Sequence, residues 1–182
     1  MSFQGHILLA SPKMDDPNFH QTAIVMIEHN GEGAMGLVIN RPLEMRIDEA
    51  WSQISQTPCV HEQRLYQGGP CPGPLMVMHT DAMLADRELL PGLFFSSESQ
   101  QVETLMQTAV DKVRFIVGYA GWGPGQLENE LEWGVWRACR GEVGEVFEDP
   151  QHVWLRLLKK ADPTEAALIR QPALRPSDPS LN

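Results

Sequence analysis

The side chains with the clearest capacity for chemistry in this sequence are His29, Asn40, Arg41, Trp122, Gln126 and Glu130. His29 stands beside Glu28 at the end of an apolar run. As a general base it would need a pocket and an acceptor to orient its ring, and Glu130 is the carboxylate that would complete an acid–base pair. As a structural residue it need only hydrogen-bond its own turn. Asn40-Arg41-Pro42 ends another apolar run with an amide and a guanidinium fork. The amide suits neighbouring backbone, and the fork suits carboxylate or phosphate. Gly68-Gly69-Pro70 either exposes backbone N–H groups to an anion or lets two chain segments approach closely. Gly118-Tyr-Ala-Gly-Trp-Gly-Pro-Gly125 leads into Gln126-Leu-Glu-Asn-Glu130. There Trp122 is either a core plug or a pocket wall with Gln126 and Glu130 as polar contacts. A helix N-terminus attracts anions, but Glu128 and Glu130 already complement the dipole of this one. If the fold gathers these loops, the candidate binding surface comprises His29, Asn30, Asn40, Arg41, Gly68, Gly69, Trp122 and Gln126.

Other familiar signatures are missing. The sequence has no G-x-S-x-G, HExxH, Walker phosphate loop or GxGxxG. Gly31, Gly33 and Gly36 read as a hairpin, since no lysine follows and no helix begins there. His6, His20, His61, His79 and His152 form no i,i+4 pair, and Cys59, Cys71 and Cys139 form no CxxC. Neither a metal nor a cofactor is expected, and the thiols read as inert.

The elements that must position these residues follow from periodicity. His6–Ala10, Thr22–Glu28 and Gly36–Ile39 read as strands, the last two joined through a tight turn at Asn30-Gly31. Ile47, Ala50, Trp51 and Ile54 predict a short helix. Arg64–Gln67 and Leu75–His79 read as strands around a fixed loop, Gly68–Pro74. Thr80–Pro91 reads as irregular, and Leu93–Phe95 as a strand. Val102, Leu105, Met106, Ala109, Val110 and Val113 predict a helix over Glu98–Lys112, with Ser97 and Gln100 as a capping box. Val113–Val117 should be a strand ending in the glycine-rich turn. A helix through Leu127 and Leu131, a strand at Trp133–Trp136 and a last helix opened by Asp149-Pro150 should follow.

Composition excludes several classes of function. Apolar residues make up 42% and charged residues 21%, which is ordinary globular usage. No apolar run approaches the roughly 20 residues that span a bilayer, so no membrane association is expected. The N-terminus lacks a secretory pattern, so a cytoplasmic location is expected. Net charge is −10, with seven acids against two bases in Gly121–Pro150. That sign repels phosphate backbones and disfavours direct nucleic-acid binding. Residues 1–161 read as one globular domain and 162–182 as a proline-rich, mobile tail.

Seven segments in register resemble the bacterial YqgE/AlgH family over about residues 3 to 160. They are Leu8-Leu-Ala-Ser-Pro12, Asp16-Pro17-x-Phe19, Glu28-His-Asn30, Gly33-Ala-Met-Gly-Leu37, Asn40-Arg-Pro42, Gly68-Gly-Pro70 and Gly118-Tyr-Ala-Gly-Trp122 with Gln126-Leu-Glu-x-Glu130. The resemblance implies a mixed α/β (α+β) fold, with an irregular branching β-sheet and a small barrel-like core surrounded by helices. It also implies a bacterial cytoplasmic protein. It supplies no catalytic residues, and one branch is named for a proposed role in regulating alginate synthesis. Three readings follow. The first is a non-catalytic module that binds a protein partner or small ligand, an arrangement that could serve regulation. The second is an enzyme using His29 and Glu130, and the third a DNA-binding transcriptional regulator.

Overall fold

The computed structural model describes residues 2–167 and 169. Ten strands form one mixed, branching sheet: β1 (His6–Ala10), β2 (Ala23–Asn30), β3 (Gly33–Val38), β4 (Pro42–Arg46), β5 (Arg64–Gln67), β6 (Cys71–His79), β7 (Arg87–Leu90), β8 (Leu93–Ser96), β9 (Val113–Trp122) and β10 (Trp136–Arg140). The main path runs β10-β1-β2-β3-β9-β6-β8-β7, and β4 and β5 branch from it at β9. The described helices are α1 (Ile47–Ile54), α2 (Ser99–Gln107), α3 (Gln126–Glu132), α4 (Val143–Val146), α5 (Val153–Ala161) and α6 (Pro163–Ala167).

The branch has an identifiable cause. β6 pairs along the whole of one edge of β9, from Cys71↔Tyr119 to His79↔Val113. The other edge of β9 is divided. β5 pairs parallel at Ile116 and Val117, and β3 pairs antiparallel at Ala120 to Trp122. Gly118 lies between the two with φ of 72°, a conformation open chiefly to glycine. Gly68 fills the fork, donating its N–H to the Val117 carbonyl (2.7 Å) and accepting from the Val38 N–H (2.8 Å).

The sheet curls into a half-barrel, and Arg87 on β7 reaches back to donate to the Ile27 carbonyl at 3.3 Å. Both faces of the strands are covered, which explains their nearly continuous apolar runs. Ile7, Leu9, Val25, Leu37, Met76 and Ile116 face inward against Val153, Trp154 and Leu157 of α5. Leu8, Ile24, Met26, Ala120 and Trp122 face outward against Leu127 of α3. Val77, Leu65 and Phe115 face outward against Ile47 of α1 and Val102 and Leu105 of α2. The helices thus pack in three separate groups.

Several boundaries differ from the sequence reading. Asn30 pairs with Gly33, so the tight turn is Gly31-Glu32, with the Asn30 amide oxygen accepting from the Glu32 N–H (2.8 Å). α2 ends at Gln107, and Ser97 makes no cap. The Asp86 carboxylate instead accepts from the Ser97 and Glu98 N–H groups at 2.6 and 2.9 Å. β9 continues through the expected glycine-rich turn, because β6 and β3 give that segment partners. β6 likewise begins at Cys71 inside the expected loop and is bulged before Leu75. β4, β7 and α4 were not expected; β7 lies within the stretch read as irregular. The strand placed at Trp133–Trp136 starts at Trp136, and the helix opened by Asp149-Pro150 starts at Val153. Pro163–Ala167 of the expected tail is helical, and Glu165 is buried, accepting from the Ser11 hydroxyl (3.0 Å). The rest of the tail expectation lies outside the described residues, apart from Ile169. Among the described residues, no helix is long and apolar enough to cross a membrane.

Candidate functional site

The structure divides the expected surface in two. The first group lies where the β2–β3 hairpin meets α3. His29 is buried, and its Nδ1 accepts from the Phe3 N–H at 3.1 Å. The ring proton is therefore on Nε2, which donates to Glu128 at 3.0 Å. That contact, after the bond from its own amide, holds the Glu128 carboxyl below the usual carboxylate range. Glu130 is committed elsewhere. It accepts from the indole N–H of Trp122 (2.9 Å) and of Trp136 (2.7 Å), and from the Gln126 amide (2.8 Å). The expected His29–Glu130 pair is therefore not assembled. Residues 128 and 130 sit two apart on α3 and point to different sides of it. Both His29 nitrogens are occupied, which leaves it no free lone pair to act as a base. Trp122 is 7% exposed and plugs the core, with its ring edge-on to Trp136 at 5.8 Å. With Asn30, Glu28 and Glu32 it borders only a shallow recess of about 230 Å³.

The second group surrounds Asn40 and Arg41, where β3 passes into β4. Asn40 is buried and serves the backbone: its oxygen accepts from the Ala23 N–H (3.0 Å), and its amide donates to the Gln21 carbonyl (2.8 Å). This clamp holds Gln21 at φ of 55°, the one left-handed non-glycine residue among those described. Gly68 and Gly69 are also structural at the sheet fork, where a Cβ would come within 2.2 Å of the Gly118 carbonyl oxygen and the Tyr119 carbonyl carbon. Arg41 differs from these. It makes a hydrogen bond to the His20 carbonyl and, among the described residues, no carboxylate pairs with it. Burial pushes its guanidinium down, the direction that a bound anion would reverse.

Arg41 and Pro42 form a ridge between two clefts. One, about 350 Å³, is lined by Gln21, Asn40, Arg64, Tyr66, Asp149 and Trp154, together with the ridge itself. The other, about 300 Å³, opens toward Asn18, Leu43, Gln67 and Gly69. Tyr66, Arg64, Asp149 and Trp154 escaped the sequence reading because they come from two segments distant from Arg41 and from each other. A usable signal was the alternation Arg64-x-Tyr66 on a short strand, which places both side chains on one face. Below Tyr66 lies Arg114, 6% exposed, with its guanidinium 4.3 Å from the ring centre. Arg114 donates to the carbonyls of Ile39 and Glu148, and burial pushes it down as well.

Among the described residues, no group of three or more His, Cys, Asp or Glu side chains is placed to hold a metal ion. The three cysteines are free, and burial, with Glu145 nearby, pushes Cys139 up to about 11.

The chain matches the family model described as AlgH-like over residues 7–165. A UPF0301 protein of Chlorobaculum tepidum is 38% identical over 162 residues, covering 85% of this chain and 84% of its own. A UPF0301 protein of Streptomyces avermitilis is 32% identical over 196 residues, covering 100% and 96%. The solution structure of the AlgH protein from Pseudomonas aeruginosa is similar with a TM-score of 0.72, at 32% identity over 95% of this chain and 97% of that one. A Corynebacterium diphtheriae crystal structure gives 0.73, at 26% identity over 90% and 89%.

Proposed function

The chain belongs to the AlgH-like family, and from the geometry around Arg41 we propose that it is a non-catalytic module binding a small anionic ligand in the cleft between the β3–β4 turn and the segment Asp149–Trp154. The observation that carries this reading is the Arg41 guanidinium, which has no carboxylate partner among the described residues and is presented to a cleft with aromatic and proline walls in a chain of net charge −10. Such a group is tolerated half-buried when a ligand supplies the missing charge. Arg64 adds a second cation, whose carboxylate contact is an exposed one with Glu44 at 3.4 Å. A cytoplasmic, regulatory setting is in keeping with this reading: the ligand would report a metabolite level, and a partner would read the loaded state.

The test is a thermal-shift screen of phosphates and carboxylates. A ligand at about 100 times its Kd stabilises by roughly 2.7 kcal/mol, which for a domain of this size is a rise of about 5–11 °C. The rise should vanish in Arg41→Ala. A hit that persists undiminished in that variant would remove this cleft from consideration.

A further inference from the structure

Tyr66 borders a second cleft besides the one at Arg41. This larger cleft, of about 480 Å³, is also lined by Arg64. The parallel pairing of β5 with β9 sets Tyr66 beside Ile116, and strand alternation places Arg64 and Arg114 on the same faces of β5 and β9 as those two residues. One short segment borders both openings: Phe147 on the larger side, Asp149 and Pro150 on the smaller. Glu148 between them turns its carboxylate outward to Arg156 (2.7 Å) and gives only its carbonyl to Arg114.

The charges lining the two clefts run against those of the whole chain. Arg41, Arg64, Lys112 and Arg114 face two carboxylates, Asp111 and Asp149. Neither Lys112 nor Arg114 has a carboxylate partner within 4.0 Å among the described residues. A compact anion at Arg41 would leave the cations of the second cleft unused. We propose that the two clefts act together and that the natural ligand is an elongated small molecule with two anionic groups, one held at Arg41 and the other at Lys112 and Arg114, its middle passing Tyr66. This rests on the reading of the first cleft, and the experiment separates the two.

Orthophosphate and linear tripolyphosphate are titrated calorimetrically, at low ionic strength, into the full chain and into Arg41→Ala, Lys112→Glu and Lys159→Glu. Lys112 and Lys159 are exposed, so neither reversal threatens the fold. Lys159 lies outside both clefts and controls for net charge. Tripolyphosphate should bind the unmodified chain more tightly than orthophosphate. Lys112→Glu should weaken tripolyphosphate about fivefold or more, the scale of one partly exposed ion pair, and leave orthophosphate within about twofold. Arg41→Ala should weaken both anions, and Lys159→Glu neither. Equal affinity for the two anions, or equal losses in Lys112→Glu and Lys159→Glu, would overturn the second subsite while leaving the first cleft standing. Tripolyphosphate binding that depends on Lys112 but not on Arg41 would overturn the joint occupancy and the first-cleft reading together. Failure of the unmodified chain to bind either anion would do the same.

Discussion

Glu130 shows how a residue chosen for chemistry can be needed for structure. Its two oxygens collect two indole N–H groups and an amide, and both indoles belong to buried tryptophans. Removing the carboxylate in Glu130→Ala leaves those donors unpaired. Stability should fall by about 2–4 kcal/mol, and by less in Glu130→Gln, which keeps one acceptor. Chemical denaturation checks this, and a loss below about 0.5 kcal/mol in the alanine variant would show that the indoles find water instead. Arg41 should behave in the opposite way: truncation costs the fold little and ligand binding much. From sequence, Arg41 and Glu130 looked equally available, because Trp122 and Trp136 lie on strands to either side of the Glu130 helix, and sequence spacing gives no sign that both indoles reach its carboxylate. Asn40 and Arg41 were both placed on the candidate surface, and their adjacency gave no sign that the Asn40 amide would serve the backbone at Gln21 and Ala23.

At the scale of elements, the glycines separate into those that fold the sheet and those that only turn it. Gly68→Ala would drive a Cβ to 2.2 Å from the Gly118 carbonyl oxygen and 2.6 Å from Ile116. The sheet fork must then open, at a cost of about 3 kcal/mol or more. A Cβ added at Gly31 would meet nothing within 4 Å, and the residue has no left-handed φ, so Gly31→Ala should change stability by no more than about 0.5 kcal/mol. Thermal melts of the two variants check this contrast, and a large loss at Gly31 would restore the Asn30-Gly31 turn of the sequence reading. Strands with strong apolar runs, such as β1 and β2, were legible because both faces are buried. β4, β7 and the second half of β9 were not: Pro42–Arg46 and Arg87–Leu90 are rich in helix-favouring residues, Gly118–Trp122 in glycine, and each becomes a strand only through its pairing.

For the molecule as a whole, the acidic surface and the buried histidine set a pH response. His79 is fully buried, and its Nε2–H donates to the Ser96 hydroxyl (2.9 Å), which in turn donates to the Leu84 carbonyl. Burial pushes His79 below the usual histidine range, opposed by the charges of Asp81 and Asp86. The unfolded chain therefore binds the proton more readily. This contribution to stability is complete above the unfolded value of about 6.5 and is lost as pH falls through the lowered folded value. Melting temperature should drop as pH falls below about 6.5, and more steeply than in His79→Gln, which cannot titrate. Identical slopes would mean that other groups govern the response. The mixed α/β class and the branching sheet were legible through the family resemblance. The clefts were not, because their walls come from β4, β5, β9 and the approach to α5, brought together only by the fork.

The central claim is that the cleft at Arg41 binds a small anion. Its most direct test is a backbone-amide NMR titration with the anion that most raises the melting temperature, run on the unmodified chain and on Arg41→Ala. The account predicts shift changes centred on Asn40, Arg41, Tyr66 and Gln151–Trp154, and their loss in the variant. Changes centred on the β2–β3 hairpin and α3, or a pattern unaltered by Arg41→Ala, would contradict it.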